Sequence, residues 1–217
     1  MKKKIILLLV ICTIFLVGCK SEKQNSTDLK KEQEELIAIV LKINMPLNFD
    51  DLDDLFEFPM TESLQKGKIG TIVGDGSPVN EYGPYATDIE FDIQLGKIDE
   101  FKKMIQNYRF PKGSYLEVDN QKDEEYGEFG DLLGIRLTFN HLSKNQIQKI
   151  YKDLSNELSE DYIYKTIYQL QDITTVYYYG EDVNHIKNKI NKYIESNNYI
   201  DDVTMMEMST GIHKQLD

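Results

Sequence analysis

From Asp88 to Leu95 the chain alternates without a break, Ile89, Phe91, Ile93 and Leu95 standing between Asp88, Glu90, Asp92 and Gln94. Period two with apolar residues on one side only fits a strand that buries one face. A helix is expected next from Ile98 to Tyr108, with Ile98, Phe101, Ile105 and Tyr108 inward. Pro111-Lys112-Gly113 then turns the chain into a strand from Ser114 to Val118. The same strand, helix, strand order recurs from Leu133 and again from Ile173. In the second copy Ser143 and Gln146 form a capping box ahead of Ile147, Ile150, Tyr151, Leu154 and Leu158, and Tyr162 to Leu170 is its closing strand. In the third, Asp182 caps a helix carrying Val183, Ile186, Ile190, Tyr193 and Ile194, and Val203 to Met208 closes it. No residue pattern is shared between copies, so the repeat is one of topology and not of a solenoid array.

The first two copies spell β-α-β-β-α-β. The expected fold class is therefore α+β: a ferredoxin-like antiparallel sheet with helices on one face, extended by a third β-α-β unit. Ahead of it, Leu36, Ile37, Val40 and Leu41 fall at helical spacing, with Lys30, Lys31, Glu34 and Glu35 on other faces, so an N-terminal helix ending at Pro46 is expected. Asn48 to Phe58 reads as a short acid-rich helix, Ile69 to Val73 as a strand and Gly74 to Pro78 as a loop.

The first twenty residues read differently. Lys2, Lys3 and Lys4 precede an apolar run from Ile5 to Val17, shorter than the roughly 20 residues a membrane span needs. Leu16-Val17-Gly18-Cys19 resembles the lipobox of bacterial lipoproteins. That resemblance implies cleavage before Cys19, acylation of Cys19, and a domain anchored by lipid to the outside of the cytoplasmic membrane. The implied organisation is a signal peptide at 1–18, a lipidated cysteine with a flexible tether at 19–27, and a single extracytoplasmic domain at 28–217. Cys12 would leave with the leader, so the domain must fold on an ordinary core without a disulfide.

Charge narrows the partners. The chain has 37 acidic against 25 basic residues, a formal charge of −12, and its arginines are Arg109 and Arg136. A surface so poor in cations repels phosphate backbones, which excludes nucleic acid as a partner, and it leaves the acyl chains to hold the bilayer. A charged partner would be cationic.

Chemical motifs are sparse. Read as a calcium loop from Asp119, the sequence puts Glu124 where glycine is needed and Gly130 where a bidentate glutamate belongs. Gly74-x-Gly76 lacks the rest of a nucleotide loop, and Ser63-Leu64-Gln65-Lys66 lacks the companion motifs of the S-x-x-K hydrolases. His141 and His185, with Glu181 and Asp182, are the residues that could hold a zinc-like ion, although no H-x-x-x-H spacing is present. No cofactor is expected, and no catalytic residue is assigned. Tyr162, Tyr164, Tyr177 and Tyr179 crowd two strands and would make an amphipathic binding platform if exposed, with Asp123, Glu124 and Glu125 as an acidic neighbour. The expectation is a non-enzymatic, lipid-anchored domain that binds a protein or peptide, in its sharper form an immunity-type lipoprotein sequestering a cationic toxin or peptide. An envelope hydrolase or metal-binding enzyme is the alternative.

Overall fold

The computed structural model describes residues 35–80, 83–118, 126–140, 142–170, 173–197, 200 and 203–210. Strand β1, Leu36–Ile43, lies where a helix was expected. The run Leu-Ile-Ala-Ile-Val-Leu-Lys-Ile is apolar on both faces, so helical spacing can be found in it. Its β-branched residues favour the pleat, however, and Ile39, Leu41 and Ile43 are all buried on one side.

The acid-rich segment is longer than its composition suggested. Helix α1 runs from Phe49–Leu52 through a π-helical stretch, Asp53–Glu57, into Phe58–Gly67. The Asn48 side chain caps it by accepting from the Asp51 N–H at 2.9 Å, and Asp50 and Asp51 suit its first turn. The widened turn sits directly before Pro59, whose ring nitrogen cannot donate to the preceding turn. Leu52, Phe56, Met60 and Leu64 form the buried stripe. Lys68, in the left-handed region at φ 49°, ends it.

Strands β2 (Gly70–Gly76), β3 (Val79–Asn80), β4 (Gly83–Pro84) and β5 (Thr87–Gln94) follow, then α2 (Ile98–Ile105), β6 (Ser114–Val118) and β7 (Tyr126–Phe129). The second half holds β8 (Leu133–Asn140), α3 (Lys144–Glu157), β9 (Tyr164–Leu170), β10 (Ile173–Gly180), α4 (Val183–Glu195) and β11 (Val203–Glu207). One sheet has the order β2-β5-β1-β6-β7 and the other β11-β8-β10-β9, while β3 and β4 pair separately. All neighbours within the two larger sheets are antiparallel.

Both orders are ferredoxin-like. In chain order, β1-α1-β2-β5-α2-β6 and β8-α3-β9-β10-α4-β11 each spell β-α-β-β-α-β, and each places its fourth strand beside its first and its third between first and second. The α+β ferredoxin-like class is as expected, but the frame moves. The segment from Asp88 completes a unit begun by β1, and the other two copies pair with each other in a sheet of their own. The third copy therefore extends no earlier sheet.

The halves share a core within one compact unit, Glu34–Asp217. Ile135, Leu137, Phe139, Val176 and Tyr178 meet Ile150 and Leu154 of α3 and Ile186 and Ile190 of α4. The opposite face of β10 sends Tyr177 and Tyr179 into the cluster formed by the first sheet and α1. Strand β10 is thus covered on both faces. The first sheet keeps one face outward, where Asp88, Glu90 and Asp92 alternate with buried Ile89, Phe91 and Ile93.

Candidate functional site

The tyrosine strands are not a platform. Tyr177 and Tyr179 are 3% and 1% exposed, and burial drives the Tyr179 hydroxyl pKa well above its usual value. Tyr164 is half-buried against Phe56 with ring centroids 5.5 Å apart, and its hydroxyl donates to the Arg109 carbonyl at 3.0 Å. Tyr162 packs on Tyr178 at 5.7 Å. Alternation divides the run Tyr177-Tyr178-Tyr179 between two faces, as expected, but both faces are covered. Cys19, Asp123, Glu124, Glu125 and His141 lie outside the described residues.

The remaining expected ligands have structural partners. Glu181 accepts from Arg109, and the Asp182 side chain caps α4 by accepting from the His185 N–H at 2.9 Å. His185 itself is exposed, its Nε2 3.3 Å from Asp161, whose other oxygen holds Lys189 at 2.7 Å. Among the described residues no group of three or more His, Cys, Asp or Glu side chains is placed to hold a metal ion.

A concavity lies elsewhere, between the end of α2 and the β6-β7 edge. It is a cleft of about 640 Å³ lined by Ile105, Tyr108, Phe110, Leu116 and Phe129, with Lys102, Gln106, Arg109, Gly130 and Asp131 also on its walls. Three local features build it. Phe110 is clamped between rings, stacked on Phe56 at 5.5 Å and edge-on to Phe129 at 5.3 Å. Its carbonyl accepts from the N–H groups of Asp131 and Leu132 at 3.1 and 3.2 Å, tying the two walls together. Arg109, in the connection after α2, bonds both Asp131, just ahead of β8, and Glu181, just after β10. Glu181 and Asp131, in that order, hold the guanidinium pKa above even its ordinary high value.

An apolar floor with a few charged groups at the rim suits an apolar side chain presented by a larger partner. The residues of this cleft were not singled out by motif. Tyr108-Arg109-Phe110 just past a helix, and Phe129 set among Glu128, Gly130 and Asp131, were the available signals: large apolar side chains in otherwise polar connections.

A second titratable group stands apart from the cleft. Burial, a hydrogen bond with Asp53 and the charge of Asp75 raise Glu57 from 4.5 to about 7. The folded state therefore keeps this proton where the unfolded chain has lost it. Its stabilisation is complete below about 4.5 and disappears as pH rises through about 7. Glu57→Gln should flatten stability between pH 5 and 8, by on the order of 1 kcal/mol given solvent screening at this half-buried site. Urea melts at the two pH values measure this; an unchanged slope would mean that Glu57 titrates normally.

Two antiparallel sheets with helices, each in β-α-β-β-α-β order, place the chain in the ferredoxin-like α+β class. No protein-family model matches the chain, and no match was found among curated proteins. Among solved structures, the chain is similar to an unknown protein from Galdieria sulphuraria, at 7% identity over 80% of this chain and 98% of that one with a TM-score of 0.26. A protein from Bacteroides thetaiotaomicron matches at 13% identity over 82% and 96%, TM-score 0.27. The first two RRM domains of the yeast poly(U) binding protein match at 8% identity over 80% and 99%, TM-score 0.24. At such scores the fold assignment rests on strand order, and none of the three carries a functional argument. No helix among the described residues is long and apolar enough to cross a membrane.

Proposed function

We propose that this chain is a lipid-anchored lipoprotein of the bacterial envelope, held outside the cytoplasmic membrane by an acylated Cys19, whose domain binds a protein or peptide. The address is supported by Leu16-Val17-Gly18-Cys19 at the end of a short apolar run behind three lysines. The observation that carries the binding reading is the aromatic-floored cleft over Phe110 and Phe129, which replaces the tyrosine platform as the site. The formal charge of −12 favours a cationic partner, as does the outward face of the first sheet with Asp88, Glu90 and Asp92. Immunity-type sequestration of a cationic toxin or peptide is the sharper form of this reading.

Two measurements test it. Cys19→Ser should move the protein from the membrane to the soluble fraction and remove the acyl mass from its N-terminal fragment; continued membrane retention with no acyl mass would overturn the anchor. For the site, immobilised protein is exposed to envelope extract, and whatever it retains is identified by mass spectrometry. Gln106 is exposed at the cleft rim, so Gln106→Trp should block the cleft while leaving the core alone. It should weaken capture about tenfold, ~1.4 kcal/mol. Undiminished capture would place the binding surface elsewhere.

A further inference from the structure

Strand β7 is an addition to its unit. The ferredoxin-like order of the first half is complete with β6, and β7 extends the sheet beyond it, at the end of the order β2-β5-β1-β6-β7. Among the described residues no strand pairs with its outer edge. The cleft lies along this added strand, with Leu116 of β6 and Phe129 of β7 on one wall and Ile105 and Gln106 at the end of α2 on the other. An open edge and an apolar cleft therefore stand side by side. Strand-adding peptides use that combination: the edge supplies main-chain hydrogen bonds, and the cleft takes alternate side chains.

The groups along the edge have fixed directions. The Gly113 N–H donates to the Phe129 carbonyl at 3.1 Å, so that carbonyl is turned toward β6. Successive peptide groups alternate between the two edges of a strand, which leaves the N–H and carbonyl of Glu128 turned outward. Side chains alternate between the two faces as well. Phe129 is in register with buried Ser114 and meets Phe110 edge-on at 5.3 Å, so it belongs to the cleft face. Glu128, one position earlier, is exposed on the other face. That face continues acidic: Glu117 of β6 and Glu90 of β5 flank Val40 in one cross-strand row. Lys42 is paired with Asp88 at 2.5 Å and offsets only part of this charge.

We propose that the cleft is filled by strand addition: an extended segment of the partner joins the sheet along β7, its apolar side chains entering the cleft and its lysine or arginine side chains, alternating with them, lying over Glu128 and Glu117. This rests on the reading of the cleft as the binding site, and it names what that site selects. Apolar and basic residues must alternate at period two. A basic amphipathic helix of the same composition does not fit, because its apolar face repeats every 3.6 residues. Glu128 also guards the edge against a second copy of the chain, which would bring its own Glu128 to an acidic edge, where like charges across a strand pair destabilise.

Synthetic probes test it. Fluorescein-labelled Lys-Leu-Lys-Leu-Lys-Leu-Lys is titrated by anisotropy into the full chain carrying Cys19→Ser, beside Lys-Lys-Leu-Leu-Leu-Lys-Lys, which has the same composition. The alternating peptide should bind about tenfold more tightly. It is then N-methylated either at its leucine amides or at its interior lysine amides. One set should weaken binding about tenfold and the other leave it unchanged, since only alternate N–H groups face β7. Glu128→Pro removes an outward N–H without touching the bonds to β6, and Gln106→Trp fills the cleft; each should weaken binding about tenfold. Glu128→Gln should weaken it about threefold and reduce its salt dependence. Should Glu128→Pro fail to fold, the methylated peptides carry the test on the unaltered edge. Equal affinity for the two peptides, no binding of either, equal effects of the two methylation sets, or insensitivity to a folded Glu128→Pro or to Gln106→Trp would overturn the proposal. Envelope capture separates it from the reading it rests on. Capture that falls with Gln106→Trp while both methylation sets act alike keeps the cleft and removes strand addition; capture untouched by Gln106→Trp removes both.

Discussion

Phe56→Ala should cost about 3–5 kcal/mol, the loss expected for emptying a fully buried phenylalanine site. Phe56 is completely buried on α1, stacked on Phe110 at 5.5 Å, tilted against Tyr164 at 5.5 Å and within 6.4 Å of Tyr108. Those neighbours belong to both halves of the molecule: Phe110 follows α2 of the first unit, and Tyr164 opens β9 of the second. The void would therefore open at the seam between the units, where collapse requires two sheets to move together. Against a total stability of about 5–15 kcal/mol, such a loss should lower the melting temperature by about 10 °C or more. Calorimetry on the variant and on Phe58→Ala decides it. Phe58 is one turn end away on the same helix but 67% exposed, and its removal should cost little. Similar losses for both would mean that the ring cluster contributes nothing special.

The second large effect is expected at Gly130→Ala. Gly130 has φ +98°, a region that an alanine enters only with strain, and a Cβ there would stand 2.3 Å from the Pro111 carbonyl oxygen and 2.6 Å from that of Phe110. Neither oxygen can retreat freely, because the Phe110 carbonyl is fixed by the Asp131 and Leu132 N–H groups. Strain and clash together should cost about 3 kcal/mol. Gly96→Ala is the matched control, since nothing lies within 4 Å of a Cβ at that position and its φ is ordinary. The same change at Gly130 should also spoil binding, because the residue forms part of the cleft wall. Urea melts and envelope capture on one preparation separate the two effects. A Gly130→Ala protein as stable as the Gly96→Ala one would mean that the wall is more pliant than its hydrogen bonds imply.

The repeated strand, helix, strand order was readable because each element there carries a single period and a boundary signal. Ser143 with Gln146, and Asp182 ahead of Val183, cap the helices as their residues suggest. What could not be read was the frame. Leu36 to Ile43 is apolar on both sides, as suits a central strand flanked by β5 and β6, and such a run satisfies helical and strand periods alike. Taken as a helix, that one element shifts every pairing by half a unit. The site was hidden for a related reason. Whether Tyr177 and Tyr179 face water depends on whether another layer covers their sheet, a fact of tertiary packing that no local pattern contains. Phe110 and Phe129, by contrast, lie 19 positions apart, one in a connection and the other at the end of β7, and the hydrogen bonds to the Phe110 carbonyl and from the Gly113 N–H to the Phe129 carbonyl bring them together.

The place of β1 has a mechanical meaning. It is the first strand of the described chain and lies at the heart of its sheet, bonded to β5 over Leu36 to Ile43 on one side and to β6 over Ile39 to Lys42 on the other. A pull applied at Leu36 along the axis of this strand would load both of its ladders. The two ladders then carry the load in shear, many bonds sharing it at once, where an edge strand pulled sideways would unzip one bond at a time. Under the proposed anchor at Cys19, such a strand would resist having the sheet peeled apart.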